Sequence, residues 1–266
     1  AFAFDIDREH DRLDFLALLV IAHGGFAAAG RALHQRGYRG EAGKAPIRET
    51  LAAALVMASG WDAKSPLIDP FCGSGTILIE AALIARRMAP GRHREFQFMQ
   101  WPSFDHGGWE RLLKGHDGDV LERCPVLLGS DRDAGAIDAT LDNAQAAGVG
   151  GNIEVVRRTV SDLVVPSGKR GWVVTNPPYG VRVGGHAARQ EGGQEGGQVG
   201  VASGGDLRDL YARFGAVLRE RAAGWHVAVL GARDTPIVQM RLPLAPSFTF
   251  SNGGIEVAAH TGVVPA

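Results

Sequence analysis

The chain has no excess of charge of either sign. Its 266 residues carry 28 Lys and Arg against 29 Asp and Glu, a formal net charge of −1. That balance excludes a protein coated all over in positive charge to hold polyanions. Cysteine is scarce: Cys72 and Cys124 are the two present. They offer neither a metal-ligand spacing nor a disulfide framework, so no metal is expected, and they suit a reducing, cytoplasmic setting. Long apolar runs are missing as well. Leu16 to Ala22 comes nearest, and His23-Gly24-Gly25 stops it far short of a membrane span. No signal-peptide pattern opens the chain, so no membrane partner is expected.

What is present is ordinary for a soluble enzyme, with 45% hydrophobic and 21% charged residues. The length is enough for one large core with an appendage. Charge is local. Arg31, Arg36, Arg39, Lys44 and Arg48 stand against Glu41 alone, and Arg86, Arg87, Arg92 and Arg94 run without an acid. These two basic stretches are either solvated surfaces or nucleic-acid contacts, with Arg36 and Arg39 expected to touch the polyanion in the second case.

The pattern begins with extended segments over residues 2–22, then a Gly/Ala-rich loop and a basic connector through Tyr38 and Arg39. From Pro46 to Ala58 it turns helical. After Gly60, strands and helices alternate, the signature of a parallel sheet with crossover helices. Strands are expected at 66–69, 125–130, 153–158, 172–175 and 226–231, and helices at 76–88, 133–147 and 206–222. A hairpin of 247–250 and 255–260 closes the sheet around Asn252-Gly253-Gly254. The expected fold is α/β and Rossmann-like: seven strands, mostly parallel, helices on both faces, a terminal antiparallel pair. Residues 1–43 form the N-terminal segment and connector, and 44–266 the catalytic domain. Residues 89–124 exceed a plain connection and hold a short helical pattern near Glu110–Lys114. Residues 184–205 contain nine glycines in 22 positions and read as a mobile loop.

Two turns carry chemistry. Asp69-Pro-Phe-Cys-Gly-Ser-Gly-Thr76 leaves a strand, passes a ligand and enters a helix. In Phe71, Cys72, Gly73, Ser74, Gly75 and Thr76, the glycines permit a sharp turn and close backbone approach. Helix-start amides then suit the amino-acid carboxylate of an adenosyl cofactor, and Asp69 is placed to accept from its ammonium group. No Lys follows the glycines, so this is not a phosphate loop. Leu78 stands where a dinucleotide fingerprint needs its third Gly. Asp131 ends the next strand, where an acid binds both ribose hydroxyls, and Arg132 beside it is read as a cofactor contact too; Asp133 is the better helix cap. Asp162 is read as an acceptor for the adenine amine.

The second turn, Asn176-Pro-Pro-Tyr-Gly180, follows the fourth expected strand at the ligand-binding edge of such sheets. Its prolines remove donors. The Asn176 side-chain oxygen and the Pro177 carbonyl remain as acceptors that can converge on one NH2 group. They push a delocalised nitrogen toward tetrahedral geometry and aim it at a sulfonium methyl, so positioning is the main device. Tyr179 offers a stacking face for a flipped base.

These turns, together with Leu33-His-Gln-Arg-Gly-Tyr-Arg39, Lys44-Ala-Pro-Ile-Arg-Glu-Thr-Leu-Ala-Ala53, Ser59-Gly-Trp61, Ile79-Glu-Ala-Ala82 and Gly129-Ser-Asp131, resemble the THUMP-associated RNA guanine-N2 methyltransferases. The resemblance covers about residues 30–260. It implies S-adenosyl-L-methionine as cofactor and the exocyclic amine of a guanine in rRNA or tRNA as acceptor. It also implies that Glu49 and Thr50 line the cofactor pocket. Two departures stand out. No THUMP-like domain precedes residue 30, and the chain starts at Ala1 rather than Met, so a catalytic piece of a longer protein is expected, its RNA held largely by a domain outside it. The Gly/Gln-rich stretch is also longer than the family's. Rival readings are a DNA adenine-N6 methyltransferase, a protein glutamine methyltransferase, which poses the same amide-NH2 problem, and a non-catalytic cofactor-binding scaffold.

Overall fold

The computed structural model describes residues 30–40, 47–92, 94–179, 204–252 and 255–266. The expected N-terminal extended segments, Lys44, Gly180 and nearly all of the Gly/Gln-rich stretch lie outside the described residues. Seven strands form one sheet: β1 Leu67–Asp69, β2 Leu127–Asp131, β3 Ile153–Arg157, β4 Trp172–Thr175, β5 His226–Ala232, β6 Ala245–Asn252 and β7 Ile255–Val263. Their order is β3-β2-β1-β4-β5-β7-β6. The first five run parallel, and β7 lies antiparallel between β5 and β6. The terminal pair is longer than expected and inserts its second strand next to β5.

Five helices of the described residues flank the sheet: α1 Glu49–Ala58, α2 Thr76–Ala85, α3 His106–Asp117, α4 Ala134–Ala146 and α5 Gly204–Arg221. Period-two alternation splits the strand residues between two cores. Leu67, Val174, Ala228 and Leu230 pack with α1, α2 and α4, whereas Ile68, Val173, Val227 and Val229 pack with Tyr211, Phe214 and Leu218 of α5. Covering both faces is why these strands read as unbroken apolar runs rather than as alternating ones.

Several boundaries moved for identifiable reasons. Helix α2 stops at Ala85 instead of 88, because Arg87 adopts a left-handed φ of 55°. Helix α3 is three turns long where a short piece was expected, capped by Asp105, whose side chain accepts from the Gly108 amide. Its Trp109 meets Phe96, Phe98 and Phe104 in a small aromatic cluster. The first core also reaches upstream of residue 44, since Tyr38 is buried in it. Among the described residues no helix is long and apolar enough to cross a membrane.

The strand order reverses between β1 and β4. Parallel sheets open a crevice for ligands at the carboxyl ends of such strands, and both motif turns emerge there.

Candidate active site

Pro70 has no N–H to continue the ladder, so β1 ends at Asp69 and the chain turns. The Cys72 amide donates to the Ser130 carbonyl at 3.0 Å, tying the turn to β2. Gly73 and Gly75 take φ of +53° and +80°. A Cβ on Gly75 would sit 2.5 Å from Cγ2 of Thr140, so no other residue fits; one on Gly73 would meet nothing within 4 Å, the open side of the turn. Gly75 is the N-cap of α2. Helix α4 fixes the turn from behind: Thr140 Oγ1 donates to the Gly73 carbonyl at 2.8 Å, and Asn143 Nδ2 to the Ser74 carbonyl at 3.0 Å. Phe71 packs edge-on to Phe214, centroids 5.2 Å apart. Burial pushes the Cys72 thiol well above its usual range, and it serves as packing beside Thr140.

Asp69 is 1% exposed. Its Oδ1 accepts from Thr175 Oγ1 at 2.6 Å and from the Phe71 amide at 3.1 Å, while Oδ2 receives no hydrogen bond from the described residues. Burial pushes its carboxyl up to about 7, with nearby Asp131 acting in the same direction and the two donors opposing. The Thr175 bond also clamps the ends of β1 and β4 together. Asp131 closes β2, and its two oxygens accept from the Gly73 amide at 3.1 Å and the Asp133 amide at 3.0 Å. Asp133 caps α4 through the Gly135 amide. Asp162 sits in a short turn after β3 and accepts from Thr159 Oγ1 at 2.7 Å. With Arg132, Arg157, Arg158 and Thr159 it lines an open cavity of about 520 Å³.

Glu49 and Thr50 begin α1. Glu49 is buried, with Arg39 Nη1 3.8 Å from its Oε2. Arg39 also donates to the Ile47 carbonyl and to Thr76 Oγ1, both at 2.8 Å. One side chain thus joins the starts of α1 and α2.

Asn176 and Pro177 continue directly from β4. Pro177 is buried, Pro178 exposed and Tyr179 half-buried against the first core. Tyr211 of α5 donates its hydroxyl to the Pro178 carbonyl at 3.3 Å, bracing the turn. Three buried polar atoms in these elements lack a hydrogen-bond partner: Ser74 Oγ, Glu49 Oε2 and Asn176 Oδ1. Leaving a buried polar group unsatisfied costs roughly 1–3 kcal/mol, so such atoms mark places where a ligand supplies the partner. The donor set fits an amino-acid-bearing nucleoside: helix-start amides, three acids along one sheet edge and an unbonded amide oxygen.

Two arginines of the basic connector are turned into the fold. Arg36 is 7% exposed, and its Nη2 lies 3.1 Å from Glu80 Oε2, while the Tyr38 hydroxyl donates to Glu80 Oε1 at 2.9 Å. Arg94 donates to the carbonyls of Arg31, Ala32 and Gln35, and Arg86 to those of Leu121 and Gly148. These arginines satisfy buried carboxylates and carbonyls, so neither Arg36 nor Arg39 is free to grip a phosphate. The sequence reading missed Thr140, Asn143, Thr175, Glu80 and Tyr211 as supports of the two turns. A polar residue inside an otherwise apolar helical face, as at Thr140, was the available signal.

Residues 36–191 match the family described as RMKL-like, methyltransferase domain. The Ribosomal RNA large subunit methyltransferase K/L of Methylococcus capsulatus is 39% identical over 240 residues, covering 87% of this chain and 30% of that protein. A solved structure described as a putative methyltransferase complexed with SAH superimposes with a TM-score of 0.73 at 26% identity, covering 88% of this chain and 56% of the other. A structure from Listeria monocytogenes, described as an N6-adenine-specific DNA methylase, gives 0.69 at 32% identity, covering 87% and 56%. The chain spans 55% and 30% of the first two curated relatives it matches.

Proposed function

The chain belongs to the RMKL-like methyltransferase-domain family, as the resemblance implied, and we propose that it methylates the exocyclic N2 amine of a guanine in ribosomal or transfer RNA. S-adenosylmethionine, the family's cofactor, supplies an electrophilic methyl on a sulfonium. The Ser74 and Thr76 amides of the glycine turn, with Asp69, would hold its amino-acid end, Asp131 its ribose, and Asp162 its adenine. Glu49 and Thr50 would line the pocket.

The observation that carries this reading is Asn176 Oδ1, buried and without a hydrogen-bond partner at the carboxyl end of β4. An unbonded acceptor there is what an NH2 group needs and what a binding scaffold does not. Asn176 accepts one amine hydrogen and the Pro177 carbonyl the other, so the nitrogen lone pair is freed from its ring and directed. Tyr179 stacks on the extruded base. Tyr211, bonded to the Pro178 carbonyl, keeps the turn from relaxing. Orientation of this kind accounts for up to about 7–11 kcal/mol of a barrier. No strong base is required, because the proton leaves to water after transfer.

The test uses radiolabelled cofactor, unmodified ribosomal RNA and nuclease digestion. N2-methylguanosine is expected; N6-methyladenosine, or label in protein alone, overturns the reading in favour of a rival. Asn176→Ala is expected to lower kcat about 10²–10³-fold, the size for one hydrogen-bonding group at a reacting centre. SAH affinity should stay within about twofold; a larger loss of binding would assign Asn176 to the cofactor instead.

A further inference from the structure

The 520 Å³ cavity beyond Asp131 is lined by three arginines, Arg132, Arg157 and Arg158, with Thr159 and Asp162. Asp131 and Arg157 are register partners at the carboxyl ends of β2 and β3. The backbone here is pinned, since the Arg158 amide donates to the Asp131 carbonyl at 2.9 Å and Arg157 Nε to the Arg132 carbonyl at 3.1 Å. The guanidinium groups of Arg132 and Arg158 have no partner among the described residues, and Arg157 keeps both terminal nitrogens unused. Among the described residues no acid forms an ion pair with them. Asp131 accepts from the Gly73 and Asp133 amides, Asp133 from Gly135, and Asp162 from Thr159. Arg213 of α5 adds a fourth cation nearby, 3.4 Å from Ser161 Oγ.

The cofactor does not account for this concentration of charge. It carries no phosphate, its one carboxylate belongs at the glycine turn, and its ribose and adenine, although they offer acceptors as well as donors, are uncharged and bring no anion to three guanidiniums. Spare guanidinium forks beside an open cavity match phosphate oxygens in geometry and charge. We propose that Arg132, Arg157 and Arg158 form a phosphate-binding site that holds the backbone of the substrate RNA on the adenosyl side of the cleft, an inference that rests on the RNA reading above. Three strand spacings separate β4 from β3, roughly 14 Å, so a few nucleotides beside the base at Asn176 reach it.

Binding of a fluorescein-labelled single-stranded RNA fragment of ribosomal sequence to the full chain, measured across a salt series, tests this. The double variant Arg157→Gln/Arg158→Gln is expected to bind it about tenfold or more weakly at ~0.1 M salt. The slope of log K against log[salt] should flatten by about 1.4, since each single-strand phosphate contact contributes about 0.7. SAH affinity and melting temperature should not change, and Arg157→Lys/Arg158→Lys should keep most of the slope. Unchanged RNA affinity and slope would overturn the proposal. So would a parallel fall in SAH affinity, which would make the cavity a cofactor subsite, or tighter binding of the matching duplex DNA. Affinity and slope are read without methyl transfer, so a wrong target base would sink the product analysis and leave this result standing.

Discussion

Arg36 and Arg39 in the connector and Arg157 and Arg158 at the end of β3 are the same residue type in short basic stretches, yet they do opposite work. The first pair is turned inward: Arg36 meets Glu80 in the core, and Arg39 ties the Ile47 carbonyl to Thr76. The second pair has its backbone fixed and its charge unspent. A basic run in a sequence reports only how many guanidiniums are present. What decides their role is whether carboxylates and orphan carbonyls reach them first. In the connector they do, because α2 brings Glu80, 1% exposed, beneath it; at β3 no acid among the described residues comes within ion-pair distance.

That contrast breaks most sharply at Arg36. Arg36→Ala would leave Glu80 buried with only Tyr38 as a partner, and removing one member of a buried pair costs about 3–5 kcal/mol. Denaturant unfolding should show a loss of that size. A loss under about 1 kcal/mol, accompanied by weaker RNA binding, would return Arg36 to the surface role and erase the distinction.

A smaller effect comes from pH. Burial pushes the Glu80 carboxyl up to about 7, against the opposing pull of Arg36 and Tyr38, and Asp69 rises to about 7 for the same leading reason. A folded-state value above the unfolded one means the folded chain binds more protons between the ordinary carboxyl range and about 7. Stability is then greatest at the acid side of that window and falls as pH rises through it. Glu80→Gln should remove its share of that slope, about 3 kcal/mol across the window, while the Asp69 part persists. Stability that instead climbs with pH would mean that the charge of Arg36 outweighs burial.

The same division explains what could be read in the chain before its fold was known. The glycine turn, Asp131 at a strand end, the Asp133 cap and the Asn-Pro-Pro-Tyr turn lay within reach because their geometry is set by neighbours a few residues away. The alternation of strands and helices, and the terminal antiparallel pair, followed from periodicity. What escaped was fixed by distant packing. Thr175 reaches Asp69 across 106 positions, and Thr140 and Asn143 reach the glycine turn across 67 and 69. The inward turn of Arg36 escaped for the same reason: nothing local to it announces that Glu80 will lie beneath it.

The smallest expected effect is the one that sharpens the comparison furthest. Arg157→Gln/Arg158→Gln removes two guanidiniums whose only hydrogen bond to the described residues is Arg157 Nε to the Arg132 carbonyl. Arg157 is exposed and Arg158 half-buried, and without an ion pair such side chains contribute little to folding, so the unfolding free energy should stay within about 0.5 kcal/mol of the parent. Closely spaced like charges even leave room for a slight gain once their repulsion is relieved. A loss near that of Arg36→Ala would show that these arginines are structural too, and the patch would lose its claim to a ligand. Stability unchanged beside a weakened grip on RNA is the outcome that separates a residue kept for the fold from one kept for the substrate.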